Sequence, residues 1–125
     1  MLNDGKVEIK DSAYWERRIA EQPSAMNLDD YLLSHLAQEC SEVAIRCTKA
    51  QMFGLNEIQP DQPLTNRQRI VEELADLSAL VVKMEDLGIL PILTDAELND
   101  RISAKHKKSS HYREYSRKLG RLDSI

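Results

Sequence analysis

A chain of 125 residues suits one domain with a modest core, and its one Trp, one Phe and four Tyr are too few aromatics for a sandwich or barrel, whereas Leu, Ala and Ile suit helix packing. The net charge of −4 hides an asymmetry: positions 101–121 hold eight of the seventeen Lys and Arg against one acid, Glu114, so the rest of the chain is strongly acidic. No run of eighteen apolar residues exists and the first twenty residues carry no signal-peptide core, so the expectation is a soluble, cytoplasmic, all-α protein with no membrane contact.

In chain order, residues 1–10 have mixed charge and no periodicity, which reads as a loose arm. Asp11 or Ser12 can cap a short helix to about Gln22, with Tyr14, Trp15 and Ile19 on one side and Pro23-Ser24 ending it. Trp15 reads as a packing anchor before it reads as a base-stacking ring. Asn27 then caps a first long helix, with Asp29 and Asp30 in the turn that the helix dipole favours for acids, and Gly54 stops it after Met52 or Phe53. Its apolar stripe is Leu32, Leu36, Val43 and Cys47. Cys40 and Cys47 stand two turns apart, about 10 Å of rise, too far for a mutual disulfide, and read as small core residues.

Residues 55–64 hold two prolines with Asn and Asp and form a loop. Thr65 and Gln68 make a capping box that opens a second long helix, closed by Gly88, with the stripe Ile70, Leu74, Leu77, Leu80 or Val81, Met84 and Leu87. A connector with Pro91 follows. Thr94 and Glu97 form another capping box, which opens a last helix through about Lys105, with a pattern that leaves its continuation through the basic stretch open. The segment 106–125 is strongly basic.

The chemistry lies in two pairs of acids at three-residue spacing, Glu39 with Glu42 and Glu73 with Asp76, each beside the stripe of a long helix. Three residues is close to one turn, so the members of a pair point the same way and repel each other unless a cation sits between them. On two antiparallel helices the pairs converge on one point, and oxygen-only ligands select a hard cation, Mg²⁺ or Mn²⁺. The competing account is solvated helix surface, with the acids paired to Arg46, Arg69 or Lys83. The match of two pairs on the two most apolar helices favours the cage. A ferritin-type iron site needs Glu-x-x-His on two helices, and neither pair supplies the histidine. His35 and Arg46 share the face of Glu39 and Glu42.

Leu36-Ala37-Gln38-Glu39-Cys40-Ser41-Glu42-Val43, followed after a spacer by Arg69-Ile70-Val71-Glu72-Glu73-Leu74-Ala75-Asp76-Leu77, resembles the MazG-like all-α nucleoside triphosphate pyrophosphohydrolases, which pair E-E-x-x-E on one helix with E-x-x-D on the next. The resemblance covers residues 28–90. It implies a single helical domain over 1–125, with two long antiparallel helices and shorter flanking ones forming a four-helix bundle completed by oligomerisation, as a homodimer or homotetramer. It also implies that Glu39, Glu42, Glu73 and Asp76 hold Mg²⁺ and that a nucleoside triphosphate, ribo or deoxy, is cleaved to monophosphate and pyrophosphate by water attack at the α-phosphorus. Glu72 or a cage carboxylate would orient that water. His35, Arg46, Asn99, Arg101 and Lys105 are the candidate substrate contacts. Gln38 departs from the pattern, standing where the first Glu of E-E-x-x-E is usual. The alternative reading is a non-catalytic helical oligomer that binds nucleotide or metal and engages a partner through its basic segment. Nucleic acid is the less favoured partner for the run 105–118, with Tyr112 and Tyr115, than a solvated tail or a phosphate-facing flap.

Overall fold

Four helices carry the chain: α1 (Ser12–Ala20), α2 (Leu28–Phe53), α3 (Asn66–Asp86) and α4 (Asp95–Lys118). They are seen in a computed structural model that describes residues 9–22 and 25–123, with no strand among them. Positions 1–8 of the N-terminal arm, Pro23-Ser24 and the last two residues lie outside the described residues.

The helix starts are where the caps put them. Asp11 accepts the Tyr14 N–H at 2.8 Å and Asn27 accepts the Asp30 N–H at 2.8 Å. The Thr65 N–H donates to Gln68 Oε1 at 2.9 Å while the Gln68 N–H reaches Thr65 Oγ1 at 3.3 Å, and Thr94 and Glu97 make the same reciprocal pair. The helix ends differ from expectation at two places. α1 stops at Ala20, leaving Glu21 and Gln22 in a turn. α4 runs to Lys118, well past Lys105. It has no Gly or Pro before Gly120, half of its 24 residues are the strong helix formers Ala, Leu, Glu, Lys and Arg, and its final turn places Arg117 and Lys118 against the negative end of the dipole.

The chain divides into two units, Met1–Leu80 and Val81–Ile125. In the first, α2 and α3 form an antiparallel hairpin. Asn66, the first residue of α3, is 2% exposed, and its Nδ2 donates to the Gly54 carbonyl at 2.8 Å just beyond the end of α2. Seven residues back from Phe53 and seven on from Asn66, Arg46 meets Glu73. Equal steps in opposite directions fix the register. The loop is tied by the Asn66 N–H to the Glu57 carbonyl, the Arg67 N–H to the Leu55 carbonyl, and Arg69 Nη1 to Gln59 Oε1 at 2.8 Å. Asn66→Ala should cost about 1–3 kcal/mol, because it strands a carbonyl that water reaches poorly, and urea unfolding would show it as a lower midpoint at unchanged slope.

In the second unit α3 ends in a Schellman turn. Gly88 takes φ 74°, its N–H donates to the Glu85 carbonyl, and the Ile89 N–H reaches Met84. Met84 is fully buried. No residue of α4 is buried.

Hydrophobic burial is sparse. Among the described residues only Leu32, Ala50 and Met84 are buried apolar side chains. Cys40 and Cys47 are exposed, against the expectation that they are core. At 100° per residue Cys40 lies about 40–80° and Cys47 about 20–60° round α2 from Leu36, Val43, Leu32 and Ala50, to one side of the arc that turns inward. Leu74 and Leu87 are likewise exposed, although they were expected in the stripe of α3. The residues of α3 that lose solvent in the hairpin are Ile70, Glu73, Leu77 and Leu80, so an acid takes a place in the stripe that the periodicity gives to Leu74.

Candidate metal centre

Glu39 shares the inward arc of α2 with Leu36 and Val43, and Glu73 shares that of α3 with Ile70 and Leu77, so packing the two helices draws the two carboxylates together. Glu42 and Arg46 flank this arc on one side of the hairpin. One carboxylate oxygen from each of Glu39, Glu42 and Glu73 lies within 4.8 Å of the other two. Glu73 has a side chain only 15% exposed, and its Oε1 stands 3.6 Å from Arg46 Nε, an ion pair too long for a hydrogen bond.

The electrostatics of this cluster are unbalanced. Three carboxylates face one guanidinium, and Glu39 Oε2, Glu73 Oε2 and Arg46 Nη1 are all shut off from solvent without a hydrogen-bond partner. Glu42 consequently holds its proton above the usual carboxylate range. The first cause is a hydrogen bond to the Glu73 carboxylate, then repulsion from Glu73 and Glu39 and a small loss of hydration, with Arg46 opposing. A proton bound between acids marks a place where positive charge is favourable. Glu39, Glu42 and Glu73 are a group that could hold a divalent cation: all donors are oxygen, and Glu39 Oε2 and Glu73 Oε2 have no hydrogen-bond partner.

Asp76, the expected fourth member of the cage, does not join the three. It is exposed, because three residues on from Glu73 it has turned about 60° away from the buried arc. Glu72 and Gln38 are also exposed. His35 is half-buried on the flank that carries Glu42 and Arg46, and its ring lies 4.4 Å from that of Tyr31 at a 42° tilt. Tyr31 was missed in the sequence, although its spacing of four from His35 is the signal for a same-face pair. The pairing of Arg46 across to Glu73, rather than along its own helix, was missed as well. Asn99, Arg101 and Lys105 all stand exposed on α4 in the second unit.

No family model, curated protein or solved structure matches this chain. What the chain offers is the cluster itself: three carboxylates and one guanidinium brought together by an antiparallel hairpin, a group that could hold a cation.

Proposed function

We propose that the chain is a Mg²⁺-dependent (or Mn²⁺-dependent) nucleoside triphosphate pyrophosphohydrolase of the MazG-like type, acting in the cytoplasm as a homodimer or homotetramer. The observation that carries this reading is the convergence of Glu39, Glu42 and Glu73, from two separated motifs, on one point where a single guanidinium faces three carboxylates. In this reading these three residues hold the cation, with Asp76 the further candidate. When bound, the cation would neutralise charge on the phosphate oxygens of the substrate. Glu72, exposed one residue before Glu73, or one of the cage carboxylates would orient a water that attacks the α-phosphorus. His35 with Tyr31 and Arg46 lies on the same flank as the acids and suits a base and a phosphate oxygen. Asn99, Arg101 and Lys105 are the candidate phosphate contacts of α4.

The test is a screen of common ribo- and deoxynucleotides with Mg²⁺, read by pyrophosphate release, with the active substrate then run in ¹⁸O-labelled water. Label in the monophosphate is the expected result. Label in pyrophosphate means β-attack, and diphosphate with orthophosphate means γ-attack. Either would end the assignment. A second reading, a non-catalytic helical oligomer that binds metal or nucleotide, is favoured by Gln38 in place of an acid and by the separation of Asp76 from the cluster. Nucleotide binding without any turnover would establish it.

Metal should also couple to pH. Because the folded pKa of Glu42 is raised, its contribution to metal-free stability is fully present below the unfolded value and is lost as pH rises through the folded one. Ligand-bound protein gains where the metal-free protein loses, so the rise in Tm produced by millimolar Mg²⁺ should grow as pH rises above the usual carboxylate range, with proton release on binding. A Tm that ignores both Mg²⁺ and EDTA across that range would mean that the acids are ordinary surface.

A further inference from the structure

We propose that one face of α4 is a binding surface for single-stranded nucleic acid. A depression of about 460 Å³ on this helix is lined by four cations, Lys105, Lys108, Arg113 and Arg121, and by the hydroxyls of Ser109, Tyr112 and Ser116. No carboxylate lines it. Leu122 is its one aliphatic member.

The helix end builds part of this surface. Gly120 adopts φ 72°, which a side chain would resist, and closes a Schellman turn in which its N–H donates to the Arg117 carbonyl at 3.0 Å and the Arg121 N–H to the Ser116 carbonyl at 2.9 Å. The turn folds Arg121 back over the last turns of α4, beside the cations that precede it. Along the helix, Arg101, Lys105 and Lys108 follow one another at spacings of four and three, so like charges are stacked on one face, an arrangement that weakens an isolated helix. Among the described residues the only acid paired within α4 is Glu114, and its partner is Arg117, which does not line the depression. A polyanion removes the repulsion that the chain leaves in place.

Length and the aromatic ring choose the polyanion. Lys105 and Arg113 are eight residues apart, about 12 Å of helix rise, longer than the phosphate tail of a nucleotide and suited to successive phosphates of a strand. Tyr112 lies between them, 55% exposed, offering a ring on which an unpaired base can stack. Cations that track a backbone beside an exposed aromatic ring are the physical requirement for binding single strands without sequence preference. An anionic membrane surface is held most firmly where an apolar face inserts beside the cations, and this depression offers a single aliphatic side chain.

The test uses the full chain in EDTA, so that hydrolysis does not enter, and the fluorescence anisotropy of a labelled oligothymidylate of about twenty nucleotides over a salt series. Four phosphate contacts predict that log K falls with log salt at a slope of about −3. Lys108→Gln and Arg113→Gln should each flatten the slope by about 0.7. Tyr112→Ala should weaken binding by about fivefold or more at unchanged slope. Far-UV circular dichroism checks that the helix persists. The proposal is overturned by absence of binding at low salt, by equal binding of a duplex with no effect of Tyr112→Ala, by competition from tripolyphosphate as strong as from the oligonucleotide, or by anionic vesicles binding in its place.

Discussion

Glu73→Gln should remove both the Mg²⁺-dependent rise in Tm and pyrophosphate release, lowering turnover by about 10²-fold or more, while the metal-free protein stays within about 1 kcal/mol of the parent. Glu73 occupies the buried arc of α3, its side chain is 15% exposed, and one of its oxygens has no partner. Gln keeps the shape and can still face Arg46, but it offers a neutral amide where a hard cation needs charge. Repulsion on Glu42 is also relieved, because its hydrogen bond to Glu73 and the charge of Glu73 are the two largest causes of its raised pKa. The metal-free pH dependence should flatten at the same time. Asp76→Asn is the contrast: exposed and outside the three, it should keep most of the Mg²⁺ response. If Glu73→Gln retains the response, the cation does not sit among these acids. If Asp76→Asn loses it equally, the site closes on four carboxylates rather than three.

What could be read from the chain was whatever is decided locally. Asp11, Asn27, Thr65 and Thr94 cap their helices because a cap needs only a side chain three residues from an orphan N–H, and that spacing is written in sequence. The convergence of Glu39, Glu42 and Glu73 was legible for the same reason, as a spacing on each of two helices that follow one another in the chain. The angular phase of packing was not. Leu74 and Glu73 are neighbours, and hydrophobicity favours Leu74 for the interior, yet the hairpin turns Glu73 inward. Which of two adjacent residues faces the partner depends on register, and the register is held by Asn66 on Gly54 and Arg46 against Glu73, contacts over long sequence separation that no local pattern encodes. The length of α4 was hidden for the opposite reason. Its helix rests on propensity and caps, with no apolar stripe to follow.

Leu74→Glu should break the oligomer proposed above and lower stability by about 2–4 kcal/mol, the range for placing an unpaired carboxylate where apolar surface is covered. Going round each helix in the sense of increasing angle from its inward arc, α2 presents Leu33, Cys40 and Cys47 and α3 presents Leu74 and Val71; because the helices are antiparallel, these residues fall on one side of the hairpin. Leu33 is 47%, Leu74 44% and Val71 64% exposed. Glu42, Arg46 and Asp76 lie on the other side. In the first unit, Leu32 and Ala50 are the only buried apolar side chains among the described residues, a core too small to offset the entropy of ordering two long helices. In the proposed oligomer a second hairpin laid on the apolar side would supply the missing burial as a four-helix bundle, and would leave the acid flank free for substrate. The parent protein should therefore melt at a temperature that rises with protein concentration, and light scattering should give at least twice the chain mass. Leu74→Glu should lose both behaviours. Ser41→Glu, half a turn away from the hairpin contact on α2, should stay within about 0.5 kcal/mol of the parent. A parent chain that is monomeric at every concentration, with Leu74→Glu equally stable, would mean that the hairpin holds itself together without a second copy.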